Sequence, residues 1–418
     1  MKVQFISHAG FITEAGNKKI FTDPWTKGKA FNEGWALLST HAALNYQEID
    51  YLFVTHEHPD HFSLPTLKAI DADTRKKIKI LYQRHASPRL KIAFEKLGFK
   101  EVIELPLYKW SIIDGIEFYC GSCGSMDSFL AIRHGNETLL NINDCVLNEK
   151  QYRYIKKEIG KIDLLFTQFS FANWVGNDKD EYDECGQKIR GIRKQIEIFQ
   201  PVYTVPFASF VYFCNRENSR QNDWINTPQK IYELQTPTIN FMYPGDSIEL
   251  TNPVFNSAGA VSKYMHDLEN LIIDPMPPSV SFENICDAVK DSLQNFRKKI
   301  IWPLRLLAKP FGIYIHDLDK ALLINPAKGI YAETKKENCK YEMCSQVCWY
   351  TFKYTWGTAS LQVSGMYLDH KLNEPTSKYF FFQNMISTEF LSVKTTEQLR
   401  RVIQFLWRKK MEIFYKFI

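Results

Sequence analysis

Residues 55–61 read Thr-His-Glu-His-Pro-Asp-His, which puts three of the chain's ten histidines and Asp60 within six positions. Imidazole and carboxylate are donors that zinc, iron and manganese all accept. In this HxHxDH spacing His56 and His58 can face one divalent ion, and Asp60 and His61 a second beside it. Asp144 closes an apolar run, Leu-Leu-Asn-Ile-Asn-Asp, and a carboxylate there can bridge two ions; a turn Asp capping the next helix is the bland alternative. Asp60 and Asp144 are therefore the expected catalytic carboxylates. Asp23, in Phe-Thr-Asp-Pro-Trp, ends another strand-like run, and its expected role is to accept a hydrogen bond from a metal-bound imidazole. His8, in Ser-His-Ala-Gly-Phe, and Asp127 are expected behind the ligands rather than among them.

Those residues need strands that end together on one cleft. The first 60 residues read as short apolar strands broken by Gly and Asn, and residues 51–54 form a buried-looking strand directly before the histidines. Side chains at a strand end that opens into a loop point into a shared cleft. Residues 65–98 read as two helices around the strand KILYQ, and strands VIEL, IEFYC, FLAIRHG and ETLLNIND follow. Helices near 148–160 and 184–199 lead into strands DLLFTQF and VYTVPF. This order suits a mixed sheet sandwich with helices outside. After about residue 255 a Pro-rich turn opens a helix, and from about 313 the segments GIYIHD, ALLIN, CWYTFKYTW and SLQVSGMYL read as strands. The expected division is a catalytic domain over 1–255, a helical connecting segment over 256–312 and a small α+β domain over 313–418.

Composition narrows the partners. Hydrophobic residues at 45% and charged residues at 24% are the balance of a globular protein with a sizeable core. A net charge of +5 suits an anionic small-molecule substrate and does not argue for nucleic acid. The nine cysteines form no tight, even framework, so they are expected reduced and the chain cytoplasmic. Cys120 and Cys123 have CxxC spacing without a second such pair. The N-terminus has no apolar signal core, and no stretch approaches the 18 or so apolar residues of a membrane span.

The motifs taken together resemble the metallo-β-lactamase superfamily, and within it the CMP-N-acetylneuraminic acid hydroxylase group. The likeness runs through Asp23-Pro-Trp, Ala30-Phe31, Gly34-Trp35, the stretch from Thr55 to Leu64, Met126-Asp127, Leu140 to Cys145, Gln168 to Ala172, Gln200-Pro201, Pro206 to Ala208 and Pro244 to Leu250. It is collinear over about residues 5–250. The resemblance implies a metallo-β-lactamase-type αββα sandwich, here with a smaller C-terminal α+β domain, and two metal ions, iron favoured with zinc or manganese as alternatives. Three departures qualify it. The hydroxylase carries an N-terminal Rieske iron–sulfur domain, for which no Cys-His pairs stand here, so electrons are expected from a separate reductase or ferredoxin. A ligand His expected shortly before Met126-Asp127 is replaced by Cys123, which as thiolate can itself ligate metal. The final His of hydrolytic relatives, due after Val205-Pro206, is replaced by Phe207-Ala208-Ser209.

An under-coordinated second ion resembles the open sites of non-haem iron oxygenases. The resemblance thus implies an oxygenase (hydroxylase) acting on a nucleotide sugar or related anionic small molecule. The alternatives are a zinc or manganese hydrolase of a phosphodiester, ester or amide, and a non-catalytic binding module. Trp25 and Trp35 are candidate stacking surfaces for a base or sugar, and Asn173 and Asn218 candidate polar contacts to substrate. The C-terminal segment 399–417 reads as a basic amphipathic helix, which can lie on a membrane surface; docking with a solvated basic face is the commoner arrangement.

Overall fold

The computed structural model describes residues 1–387 except Ala86, Ser125 and Ala172, together with Ile403 and Trp407. Strand Tyr51–Val54 is buried at all four positions because it is covered on both faces. Leu52 and Val54 face a cluster with Leu67, Leu90 and Phe94 on the outer helices. Tyr51 and Phe53 face Leu81, Phe118 and Leu130 between two sheets. Such two-sided burial is why the segment reads as a continuous apolar run rather than an alternating one.

The first sheet has seven strands in the order Ser247–Glu249, Lys2–Ser7, Gly10–Ala15, Lys18–Thr22, Tyr51–Val54, Lys79–Gln83 and Glu101–Leu105, with the last four parallel. The second has six, ordered Tyr203–Phe207, Leu164–Gln168, Glu137–Asn143, Asp127–His134, Ile116–Cys123 and Lys109–Ile113. Helices Leu64–Ala69 and Arg89–Leu97 cover the outside of the first sheet, and Glu149–Ile159 and Glu184–Phe199 that of the second. The result is an αββα sandwich. Its inner layer is aromatic: Phe11 stacks on Phe166 at 4.5 Å, and Phe207 packs edge-on against Phe11. Burying each such side chain contributes on the order of 1.5–3 kcal/mol. One position tolerates no side chain: Gly121 lies opposite Phe129 in the hairpin, whose ring occupies the space of a Cβ.

Segment 256–312 divides between two cores. Helix Ser257–Glu269 packs Ala260, Val261 and Tyr264 into the sandwich, while Phe282–Lys299 packs Ile285, Val289, Leu293 and Phe296 against the C-terminal sheet. That sheet has five strands, with Phe311–Ile315 between Lys320–Asn325 and Tyr341–Met343. Two segments expected as strands are helices instead, Ser345–Lys353 and Gly357–Ser364. Their aromatic and β-branched residues suggest strands, but Val347, Cys348, Thr351 and Phe352 are buried at helical spacing against Phe282–Lys299. Tertiary packing overrides the local preference. No helix among the described residues is long and apolar enough to cross a membrane. Most of segment 399–417 lies outside the described residues; Ile403 and Trp407 are helical and exposed.

Candidate metal centre

Parallel strands of both sheets end at one edge, where their carboxyl ends present the loops that carry chemistry in open α/β folds. Lys18–Thr22 ends at Asp23, Tyr51–Val54 at the histidine loop, and Glu137–Asn143 at Asp144. Two backbones are bent there against their own side chains: Asp23 and Asn143 take φ of 44° and 54°, a left-handed conformation uncommon outside glycine. The turn lets Asn143 donate to Asp23 at 2.8 Å and to Thr55 Oγ1 at 3.0 Å, joining the three strand ends.

The structure brings His56, His58, Asp60, His61 and Asp144 together. His56 Nε2 stands 2.8 Å from His58 Nδ1 and 3.7 Å from Asp144 Oδ2. His61 Nε2 stands 3.2 Å from Asp60 Oδ2 and 3.8 Å from Asp144 Oδ2. Among the described residues three groups offer donor atoms that all lie within 4.8 Å of one another: His56, His58 and Asp127; His56, His61 and Asp144; and His8, Asp60 and His61. A divalent ion with donors at about 2.1 Å in a tetrahedron separates those donors by roughly 3.4 Å, so most of these spacings are edges of a coordination polyhedron. Asp60 Oδ1 and Asp144 Oδ1 are buried without a hydrogen-bond partner. Buried polar atoms are almost always paired. The donor set and these orphaned oxygens fit divalent cations.

Behind the donors, Asp23 meets His61. Its Oδ2 lies 3.0 Å from His61 Nδ1, and Oδ1 accepts from the Thr55 amide at 2.8 Å. Holding Nδ1–H leaves Nε2 free to face the cluster. Thr55 is fixed in turn by Ser128 Oγ, which donates to its carbonyl at 2.6 Å.

The charges are strongly coupled. Burial works against a proton on His61, but the carboxylates of Asp60, Asp23 and Asp144 outweigh it and hold the imidazole well above its ordinary pKa. Burial also opposes ionisation of Asp60, yet His61 and His8 hold that carboxyl well below the usual range. Burial pushes His8, His56 and His58 down. Burial and the charge on Asp144 push Asp127 up to about 7.

Several expectations are corrected. Asp127 is not behind the ligands: its Oδ1 lies 3.8 Å from His56 Nε2, in the same group as His58. Cys123 is not brought into any of the three groups. It ends its strand among Tyr119, Phe129 and Leu147 under helix Glu149–Ile159, and its Sγ donates to the Val146 carbonyl at 3.4 Å. His8 lies beside Asp60 rather than behind it, with Nε2 at 3.4 Å from Oδ2. Trp25 and Trp35 are about 1% exposed and cannot stack on a substrate. Trp25 packs edge-on to His8 and donates from Nε1 to Gly28, while Trp35 packs on Phe31 and Phe213. Asn218 is fully buried and ties the two cores, donating to the Gly34 and Ser364 carbonyls at 2.9 and 2.7 Å. Asn173 is half-buried and donates to the Trp174 carbonyl at 3.2 Å.

Lys188 went unnoticed in the sequence. It lies on the inward stripe of helix Glu184–Phe199, one turn before buried Ile192, and its Nζ donates to Gln168. Burial lowers its pKa against the fields of Asp144, Glu184 and Asp127. A Lys at i−4 from a buried Ile was the available signal. Arg89 is a second supporting cation, paired with Glu57 inside the histidine motif.

Residues 2–167 match the family described as a beta-lactamase superfamily domain. A Mycobacterium tuberculosis protein named as a candidate Rieske 2Fe-2S iron–sulfur protein is 25% identical over 290 residues, covering 62% of this chain and 55% of that protein. The cytidine monophosphate-N-acetylneuraminic acid hydroxylase of Danio rerio is 30% identical over 259 residues, covering 55% of this chain and 42% of the hydroxylase. The chain thus spans about half the length of these relatives. Among solved structures, the isothiocyanate hydrolase from Delia radicum gut bacteria superposes with a TM-score of 0.46 at 17% identity, over 60% of this chain and 99% of that one. Residues 2–167 are thus similar to a beta-lactamase superfamily domain, and the histidine–aspartate cluster lies at the joint edge of the two sheets.

Proposed function

We propose that the chain is a metal-dependent enzyme, and that it acts as a non-haem iron oxygenase on a nucleotide sugar or related anionic small molecule. One observation carries the metal dependence: His56, His58, Asp60, His61, Asp127 and Asp144 converge with orphaned carboxylate oxygens. The oxygenase reading rests on the 259-residue similarity to the Danio rerio hydroxylase. Iron, when bound, supplies the activation of O₂ that side chains alone do not.

The chain's own residues divide the remaining work. Asp23 fixes the tautomer of His61. His56, His58 and Asp127 form the half of the centre that solvent reaches, so substrate approaches there. Lys188 supplies positive charge on that side for an anionic group. The buried half around Asp60 excludes water from the other side. Two chemistries could use this centre, because donors of this kind also serve a zinc or manganese hydrolase.

The deciding assay compares iron-loaded with zinc-loaded protein, with and without O₂ and a chemical reductant, on a panel of nucleotide sugars. Oxygenase action requires iron, O₂ and reductant and puts an oxygen atom from ¹⁸O₂ into the product. Turnover of the zinc form without O₂, with oxygen entering from water, overturns the oxygenase reading in favour of a hydrolase.

A further inference from the structure

His8 stands where a ligand is lacking. The final His of hydrolytic relatives is replaced here by Phe207-Ala208-Ser209 at the end of strand Tyr203–Phe207. Ala208 offers no donor side chain, and Ser209 Oγ is turned away, accepting from the amides of Phe169 and Ser170 at 3.2 and 2.9 Å. The neighbouring backbone is that of His8, whose carbonyl accepts from the Ala208 amide at 2.8 Å. From that backbone its imidazole reaches Asp60, with Nε2 3.4 Å from Oδ2.

We propose that His8 is a protein ligand of the buried ion, taking the place of the histidine missing at 207–209; this rests on the metal-dependent reading above. His8 Nε2 is 3.4 Å and His61 Nε2 3.2 Å from the same oxygen, Asp60 Oδ2, and the three side chains are at most 5% exposed. These spacings match a coordination edge of roughly 3.4 Å. The ring is held edge-on between Trp25 and His61, with centroids at 5.6 and 5.8 Å, so it cannot turn away. Counting His8 makes the two halves equivalent. His56, His58 and Asp127 serve one ion, His8, His61 and Asp60 the other, and Asp144 lies within reach of both His56 and His61. The simpler role is a hydrogen bond from His8 to Asp60 without any bond to metal.

The test separates these roles with Co(II) alone as the probe, on the full chain. Wild-type protein is expected to bind two cobalt ions and to show hyperfine-shifted proton resonances from four imidazoles. His8→Gln keeps a side-chain amide that can donate to Asp60 but removes the nitrogen ligand. The expected result is a loss of at least about tenfold in affinity for one ion, disappearance of one shifted imidazole set, and unchanged binding of the other equivalent. That unchanged equivalent reports that the variant is folded. His8→Gln binding both ions as wild type does, with all four sets retained, overturns the ligand role. Wild-type protein binding cobalt with no shifted imidazole overturns the metal reading beneath it, and His8 with it.

Discussion

The two halves of the centre differ in how far water reaches them. His8, Asp60 and His61 are 1%, 4% and 1% exposed, whereas in the other half only His56 is buried, His58 is half-buried and the Asp127 side chain keeps 29% of its exposure. The buried half is held from behind by Asp23, Thr55 and Asn143, three residues that close on one another from three strand ends. The open half depends on Asp127, at the start of a hairpin strand, and on His58, in the loop. Burial of an uncompensated carboxylate is costly, so a buried half with this composition needs its cation more than an open one does. Under the metal-dependent reading proposed above, the comparison assigns a division of labour: one side retains its ion and the other meets the substrate.

The largest expected effect comes from the residue shared by both halves. Asp144→Ala should release both ions, a loss beyond the roughly 10–100-fold that an outer hydrogen-bond partner costs. Metal content per chain after dialysis measures it, and retention of one tightly held ion would show that Asp144 is not shared.

Splitting the halves comes next. Asp127→Asn should weaken only the open ion, and Asp60→Asn only the buried one, each read as the loss of one of two steps in a calorimetric titration. Loss of both steps from either variant would mean that the halves do not act separately.

Asp23→Asn tests the support behind the buried half. It should weaken that ion by roughly 10–100-fold while the open ion keeps its affinity. Equal weakening of both would place Asp23 behind the whole centre.

The smallest effect is a control far from either half. His316 of the C-terminal region lies 2.9 Å from Glu217 of the sandwich, and the hydrogen bond to Glu217, against partial burial, raises its pKa. A raised imidazole pKa makes the pair's contribution complete below about 6.5 and lost as pH rises through the raised value. The pair is part-exposed, so about 1 kcal/mol or less is at stake. Thermal melts of apo wild type against Glu217→Gln across that window should differ at low pH and converge at high pH; a difference constant with pH would show that His316 stays neutral.

Much of the centre was legible in the sequence because its donors are clustered. His56, His58, Asp60 and His61 share one loop, and Asp23 and Asp144 each end an apolar run. Asp127 and His8 were named but given supporting places, because chain position does not tell whether a side chain touches an ion or the residue behind it. Cys123 was drawn in by its spacing to Asp127, but the register Asp127↔Cys123 leaves it under a helix while the carboxylate reaches the histidines. Trp25, Trp35 and Asn218 looked like loop residues free for substrate. Trp25 and Trp35 are interior because they pack into one cluster with Phe31, Phe171, Val175 and Phe213, and Asn218 because it reaches Ser364 of the C-terminal region, which packs over that loop with Asn32 paired to Gln346 at 2.9–3.0 Å.

The sequence by itself determined the chemistry on offer: which donors exist, that four of them come from one turn, and that apolar runs end at the carboxylates beside them. Local periodicity carries that information, because strand and helix patterns depend on neighbours a few residues apart. Only the tertiary structure decided who completes each ion's shell and which loops face substrate. Those outcomes depend on contacts between residues as distant in sequence as His8 and Ala208, or Gly34 and Ser364. The packing of one sheet edge against another fixes such contacts, and no local pattern encodes them.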